Sequence, residues 1–148
     1  MQHYKKVSKS LTLVCLFLLF ILSSCKTKPQ PIKLGDSCSF CKMGVADERF
    51  GAELITQKGK AFKFDDVHCL IEFVKGNTVP KDQIKTILFV DFEAPHEFIE
   101  SENSFLLKSD SLRSPMGSNI SAYKSEAKLK ENQTKVGGEE VKWSSLDK

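Results

Sequence analysis

Residues 50–76, FGAELITQKGKAFKFDDVHCLIEFVKG, determine the fold of this 148-residue chain. Two β-prone runs, Phe50–Thr56 and Ala61–Phe64, are separated by four residues that include a glycine, which predicts a β-hairpin. The pair Asp65–Asp66 predicts the N-cap and the acidic first turn of a helix. Apolar residues then recur at helical spacing up to Gly76, which can end the helix. The stretch therefore predicts a strand, a second strand and a helix.

The C-terminal side of this stretch predicts one more strand and then a second copy of the same order. Thr86–Asp91 (TILFVD) is strongly β-prone and predicts a central strand. The second copy is expected to have two strands, a helix and a closing strand at Ser104–Ser109, Asn119–Tyr123, Ser125–Gln133 and Glu140–Trp143. We therefore expect an α+β fold in which two tandem ββαβ units pack as one small domain.

The N-terminal side has the three parts of an export signal. Residues 1–10 are polar and positive, Leu11–Leu22 is an apolar run, and small residues follow. A helix of that length spans about 18 Å and falls short of the roughly 20 residues that cross a bilayer. Leu22–Cys25 also resembles a bacterial lipobox, in which the cysteine is lipidated; the alternative is an ordinary signal-peptidase site beside an incidental cysteine. We expect a lipoprotein signal peptide at 1–24, a lipidated Cys25 with a tether at 25–35, and the working domain at 36–148.

This signal places the protein in the cell envelope and accounts for its net charge of +3. Lys5, Lys6 and Lys9 are its only charged residues, so the rest of the chain carries 19 basic and 19 acidic groups. A neutral exported part argues against nucleic acid as a partner, because binding phosphates needs a basic face. The expected location is the outer membrane, with the domain facing the periplasm and the lipid anchor as the membrane contact.

Three cysteines remain in the exported part, namely Cys38, Cys41 and Cys69. Cys15 leaves with the signal and Cys25 carries the lipid. An odd number of thiols outside the cytoplasm cannot all pair within one chain. Either one thiol stays free or the thiols serve a purpose other than forming disulfide bonds.

Residues 36–44, DSCSFCKMG, concentrate soft metal donors. Cys38, Cys41 and Met43 lie within six residues, and their sulfurs suit Cu(I), whereas zinc rarely recruits methionine. Met116 lies in a Pro- and Gly-defined turn, SPMG, that is poorly suited to an ordinary core role. Spacing alone leaves a metal site, a redox pair and a structural disulfide open. The redox interpretation is weakened because the motif precedes a hairpin instead of opening a helix.

Several motifs, taken together in this order, resemble the NosL family of copper-binding lipoproteins. The resemblance covers about residues 36–146. It implies an exported copper chaperone, not an enzyme, that helps to assemble the copper centres of nitrous oxide reductase together with a maturation ABC-type transporter. It also implies a fold similar to the organomercurial lyase substrate domain. The motifs are the lipobox, CxxCxM (38–43), RFGAE (49–53), KFDDVHCL (63–70), FVDF (89–92), SPMG (114–117) and GGEEV (137–141).

The resemblance assigns copper ligands residue by residue. The C-x-M motif of many members matches Cys41 and Met43, which join Met116 as ligands for Cu(I). Cys38 belongs to the C-x-x-C-x-M variant, and it either completes the site or closes a disulfide with Cys41 when copper is absent. Cys69 stays open between an additional ligand and a small buried thiol.

Other polar residues near these motifs have ordinary interpretations. We expect His68 to be a surface or packing residue and His96 a loop residue. Asp65 and Asp66 are expected to cap the helix, because carboxylate oxygens are hard donors that suit Cu(I) poorly. The expected mechanism is ligand exchange in which Cys41 anchors the ion. A membrane-tethered thiol-disulfide oxidoreductase that uses Cys38 and Cys41 is the alternative function.

Overall fold

The computed structural model describes residues 28–148. The predicted signal peptide at 1–24 and the predicted lipidation site Cys25 lie outside these residues. The longest helix among them has 11 residues. Within residues 28–148, then, each helix is too short or too polar to cross a bilayer.

The first sheet has four antiparallel strands: β1 (Ala52–Thr56), β2 (Ala61–Phe64), β3 (Ile84–Val90) and β4 (Phe98–Glu100). Their order in the sheet is β2-β1-β3-β4. Its helix begins after Asp66, whose side chain accepts a hydrogen bond from the His68 N–H at 2.8 Å. The helix ends at Lys75, and the residue that takes the left-handed conformation beyond it is Asn77, with a φ of 50°. This helix, Val67–Lys75, is α1.

The second sheet has three antiparallel strands: β5 (Phe105–Lys108), β6 (Ile120–Tyr123) and β7 (Glu139–Val141). Their order in the sheet is β6-β5-β7. Its helix begins after Ser125, which accepts a hydrogen bond from the Lys128 N–H, and ends before Gly137. Gly138 must be glycine, since a Cβ there would collide with the Lys108 carbonyl oxygen. This helix, Glu126–Val136, is α2, and a short helix α3 (Trp143–Leu146) follows β7.

The two sheets confirm the predicted α+β fold of two ββαβ units. In each unit the first strand lies between the second and the last, so the orders β2-β1-β3 and β6-β5-β7 are equivalent. The predicted central strand is β3, which lies between β1 and β4. The likeness to the organomercurial lyase domain stays a prediction.

One apolar core joins the units. It contains Leu54 and Phe64 from the first sheet together with Leu106 and Ile120 from the second. A parallel bridge between Asp91 and Ala122 links the ends of β3 and β6. The domain is therefore a single packed body in which residues of both units can meet at one site.

The chain from Gln30 onward packs against the first sheet. The Gln30 N–H donates to both carboxylate oxygens of Glu53 at 3.3 Å, and the Lys63 ammonium donates to the Pro31 carbonyl at 2.9 Å. Ile32 is buried and lies directly against Gly51, where an added Cβ would be 2.8 Å from Ile32 Cδ1. Packing thus extends to at least six residues before the expected domain start at Asp36.

Residues 33–45 then form a tight turn and hairpin, here called the N-terminal hairpin. The Gly35 N–H donates to the Val45 carbonyl at 2.9 Å, and the Val45 N–H donates to the Asp36 carbonyl at 2.8 Å. Ser37 and Gly44 form a backbone bridge. The hairpin presents the CxxCxM motif at its closed end.

Candidate metal centre

Three thiols and one carboxylate converge at one point of the domain. The Sγ atoms of Cys38, Cys41 and Cys69 and one carboxylate oxygen of Asp65 all lie within 4.8 Å of one another. Each of these cysteines is a free thiol. We call this group the thiol cluster.

The N-terminal hairpin supplies two members of the thiol cluster. The Cys38 N–H donates to the Met43 carbonyl at 2.8 Å, and the Lys42 N–H donates to the Cys38 carbonyl at 3.1 Å. Lys42 takes a left-handed φ of 67°, which reverses the chain immediately after Cys41. The Ser39 N–H donates to the Lys63 carbonyl at 2.7 Å and so attaches this turn to β2. The backbone therefore places both thiols over the end of β2, where α1 begins.

The thiols differ in their exposure. Cys38 and Cys69 are fully buried, whereas Cys41 is half-buried and its Sγ lies 3.7 Å from Asp65 Oδ1, at hydrogen-bond range for a thiol donor. Burial raises the pKa of the Cys38 thiol. Burial also raises the pKa of Cys69, and the Asp65 carboxylate and Cys38 raise it further. Both inner thiols are consequently protonated at neutral pH, so a metal ion must displace their protons.

The two adjacent aspartates have different positions. Asp66 is the N-cap of α1, as the sequence predicts. Asp65 precedes the cap and is buried against the thiols, so the expectation that it also caps the helix is wrong. One carboxylate is sufficient for the cap, and the side chain one residue earlier points elsewhere because the N-cap backbone is extended.

Asp66 also connects the cluster region to the second unit. Its Oδ2 accepts a hydrogen bond from the Met116 N–H at 2.7 Å, while Oδ1 accepts from His68. The loop around Met116 is internally braced, because the Asn119 N–H donates to Ser114 Oγ at 2.8 Å and Gly117 takes a φ of 77°. The backbone of the SPMG motif, which contains Met116, is thereby held at the N-terminus of α1.

The two methionines have unequal exposure. Met116 is half-buried and packs against the same core that Cys38, Cys41 and Cys69 contact, so its turn is less exposed than the sequence suggests. Met43 is 51% exposed and its backbone lies opposite Cys38 in the N-terminal hairpin. Of the two methionines, Met43 is therefore the one that solvent reaches more readily.

The described histidines lie outside the thiol cluster. His68 is half-buried on α1, as expected of a packing residue. His96 is a loop residue whose Nδ1 lies 3.0 Å from the Asp91 carbonyl oxygen. The soft donors available to one ion are thus sulfur atoms, with a single hard carboxylate beside them.

This donor set fits a thiophilic d¹⁰ cation. Thiolates bind such ions strongly, and thioethers add neutral, weaker ligands. Sequence reasoning did not assign Asp65 to the site. The Asp65–Asp66 pair was the sequence signal for this role of Asp65. A helix needs only one N-cap, so the other carboxylate is available to the site, and Asp65 lies about one helical turn before Cys69.

Comparisons with known proteins identify the family to which the chain belongs. The family model NosL matches residues 29–148. No curated protein sequence matches the chain. Among solved structures, the crystal structure of the copper chaperone NosL from Shewanella denitrificans is similar, with a TM-score of 0.66, 18% sequence identity, and coverage of 80% of this chain and 94% of that chain. At that identity the likeness shows a common fold. Because the family model spans most of the chain, this protein belongs to the NosL family.

Proposed function

We propose that this protein is a membrane-anchored copper chaperone that binds Cu(I) and delivers it for assembly of the copper centres of nitrous oxide reductase. The observation that carries the proposal is the convergence of three free thiols in a chain of the NosL family. The proposed ligands are Cys38, Cys41, Met43 and Met116, with Cys69 as an additional thiolate.

Graded exposure of the donors supports transfer by ligand exchange. Cu(I) enters at Met43 and Cys41, which solvent reaches, and is retained by Cys38 and Cys69, which solvent does not reach. Each inner thiol loses its proton as its sulfur binds the ion. Release follows when a ligand of the acceptor binds the open side of the ion before the thioethers leave, because thioethers bind more weakly than thiolates.

The location and the acceptor are part of the same proposal. The lipobox-like sequence supports lipidation of Cys25 and attachment to the outer membrane, with the domain in the periplasm. Membership of the NosL family supports copper as the cargo, and the structural relative from Shewanella is described as a copper chaperone. Nitrous oxide reductase and its maturation ABC-type transporter are the proposed partners.

Removal of the outer ligands tests copper binding. The Cys41→Ala, Met43→Ala double variant is expected to lose more than roughly 100-fold in Cu(I) affinity, since changes outside the ligand set already cost about 10- to 100-fold. Affinity is measured by competition with a colorimetric Cu(I) chelator. Leu34→Ala is the matched control, because it removes an exposed apolar side chain of the same hairpin without removing sulfur. Unchanged affinity in the double variant would contradict the assignment.

Delivery needs a separate measurement. The copper-loaded wild-type protein is expected to metallate copper-free nitrous oxide reductase faster than the same amount of chelated Cu(I) does. Equal rates would contradict nitrous oxide reductase as the acceptor, but would leave the proposal that the protein binds Cu(I) unaffected.

The oxidoreductase alternative is distinguished by its own assay. A reductase requires a thiolate of low pKa, whereas burial raises the pKa of Cys38 and Cys69. Reduction of insulin no faster than by a free dithiol is the expected result. Fast reduction together with no retained copper would favour the oxidoreductase.

A further inference from the structure

The chain between Cys25 and the folded domain is short. Among residues 28–148, contacts with the first sheet begin at Gln30, where the backbone N–H is bonded to buried Glu53. They continue with the bond from Lys63 to Pro31 and with the buried side chain of Ile32. At most the four residues Lys26–Pro29 span the distance from the proposed lipid anchor to the domain.

This length restricts the orientation of the domain. Five residue steps from Cys25 to Gln30 reach at most about 18 Å. A compact domain of this size has a radius of gyration of about 14 Å and is therefore roughly 35 Å across. The chain is too short for the domain to turn its far side to the membrane. With Cys25 lipidated, as the proposed function has it, the surface around Gln30 is held nearest the lipid, and the N-terminal hairpin follows Gln30 directly in the chain.

The N-terminal hairpin carries the apolar groups that a lipid surface would take up. Leu34, Phe40 and Met43 are the exposed large hydrophobic residues of the described chain, at 67%, 42% and 51% exposure. All three lie within ten residues of one another, in the segment that immediately follows the tether. Such a concentration beside a membrane anchor is characteristic of an interfacial contact.

The charges of the same segment also suit a lipid headgroup layer. Lys33 and Lys42 of the hairpin are exposed, and so is Lys28 in the chain before it. The one acidic residue of the hairpin, Asp36, is neutralised by the Lys63 ammonium at 2.6 Å. Basic side chains around an apolar patch favour anionic membranes. A lipid surface is also the partner that the anchor brings within reach first.

We propose that the N-terminal hairpin rests on the membrane surface, with Phe40 and Leu34 inserted among the lipid headgroups. This inference rests on the lipid anchor that is part of the proposed function. Its consequence is that the open side of the thiol cluster, next to Met43, lies at the bilayer surface. A copper donor or acceptor must then reach the site along the membrane.

Fluorescence quenching by brominated lipids tests this orientation. The full-length lipoprotein is reconstituted into phosphatidylcholine vesicles with and without phosphatidylglycerol. Its one tryptophan, Trp143, is replaced by Phe, and a reporter is introduced as Phe40→Trp. The matched control reporter is Thr134→Trp on α2, an exposed position of the other unit.

The expected result is that bromolipid removes at least half of the Phe40→Trp emission and leaves the Thr134→Trp emission unchanged. Quenching should be greater in vesicles that contain phosphatidylglycerol. Equal quenching of the two reporters, or none for Phe40→Trp, would overturn the proposal; the absence of quenching would leave the patch as a protein-docking surface. Leu34→Trp provides a second reporter in case Phe40→Trp folds poorly.

The failure of this proposal is distinguishable from failure of the proposed function. Cu(I) binding is measured on the same vesicles, and it is independent of orientation. Flotation of the vesicles reports the anchor separately. A protein that does not float with the vesicles overturns both the anchor and the orientation, but leaves copper binding in place.

Discussion

Asp66 holds two parts of the site in place: it caps helix α1 and it binds the backbone of the SPMG motif at Met116. Each of its oxygens accepts one backbone N–H, from His68 at 2.8 Å and from Met116 at 2.7 Å. Asp66 itself is fully inaccessible to solvent, whereas His68 and Met116 are half-buried. An amide at this position would retain only one acceptor oxygen.

We therefore predict that Asp66→Asn weakens copper binding by more than its effect on folding would suggest. The single carbonyl oxygen of the introduced amide can still cap α1. The Met116 N–H then faces an NH₂ group, which cannot accept its hydrogen bond, so the loop that carries Met116 separates from α1. The expected cost in stability is about 1–3 kcal/mol, and the expected loss in Cu(I) affinity is roughly ten-fold or more. Chemical denaturation and chelator competition give the two numbers.

Ser125→Ala is the matched control for that variant. It removes the N-cap of α2, where Ser125 accepts from the Lys128 N–H, at a cost of about 1 kcal/mol. It should leave Cu(I) affinity unchanged, because α2 contributes nothing to the thiol cluster. Equal losses of affinity in both variants would mean that Asp66 acts only through general stability.

The role of Cys69 can be tested by the pH dependence of Cu(I) affinity, which counts the protons released on binding. The pKa of Cys69 is raised by burial and then by Asp65 and Cys38, so the thiol is protonated in the copper-free protein throughout the neutral range. If its sulfur binds Cu(I), one proton leaves with each binding event, and affinity rises as pH rises. Cys69→Ser should then lower the slope of log affinity against pH by about one.

The measurement is chelator competition between pH 6 and about pH 8, a range in which the raised pKa keeps the inner thiols protonated. A slope that Cys69→Ser leaves unchanged, even with lower stability, would identify Cys69 as a packing thiol. That outcome would leave the assignments of Cys41 and Met43 intact.

At the scale of elements, β1 is unusual because it is buried along its whole length and yet contains a carboxylate. Glu53 is fully inaccessible, and burial raises its pKa, although the Gln30 N–H and the nearby Lys63 charge partly offset this effect. An acid whose pKa is raised by folding favours the native state below its unfolded-state pKa. That stability is lost as pH rises through the folded-state pKa.

We therefore predict that Glu53→Gln stabilises the domain at pH 7. The amide oxygen still accepts from the Gln30 N–H, but no buried charge has to be maintained. At pH 4, near the unfolded-state pKa of about 4.3, the two proteins should differ little. Urea denaturation at both pH values provides the comparison. A destabilised variant at pH 7 would show that attraction to Lys63 outweighs the cost of burial.

The elements also show what local sequence can and cannot predict. The hairpin of β1 and β2 and the start of α1 follow from turn and cap residues, whose effects are local. Helix α2 continues to Val136 instead of ending at Gln133, because Gly137 is the first residue beyond it with a left-handed φ. Trp143 begins α3 and does not close the last strand, because its ring packs on Phe89 at 5.6 Å.

Contacts between distant segments account for the remaining differences. Strand β4 has only three residues, too few for a periodic pattern, and it forms because β3 offers an edge. The sequence identified the three thiols but not their convergence with Asp65, which depends on the N-terminal hairpin bonding to β2 through Ser39 and Lys63. Neither contact is encoded within a window of neighbouring residues.

For the whole molecule, the site lies where the two ββαβ units meet. The thiol cluster belongs entirely to the first unit and the N-terminal hairpin, whereas Met116 lies in the loop between β5 and β6 of the second unit. A copper ion held by sulfur atoms from both would link the units. Binding to the native state alone stabilises a protein by about 2.7 kcal/mol when the free ligand is at 100 times its Kd.

We predict that Cu(I) protects both units of the wild-type protein, but only the first unit of Met116→Leu. Leucine has nearly the volume of methionine, so the copper-free variant should lose less than about 1.5 kcal/mol. Hydrogen exchange followed by mass spectrometry gives the protection of each segment. In the wild type, copper should slow exchange around Cys38, around Cys69 and across residues 114–123, whereas in Met116→Leu the last segment should exchange as it does without copper.

Met43→Leu is the matched control, because it removes the thioether of the first unit and should leave copper-dependent protection of residues 114–123 in place. If copper protects these residues equally in wild type and Met116→Leu, then Met116 is not a ligand, and coupling between the units passes through Asp66 and the shared core alone.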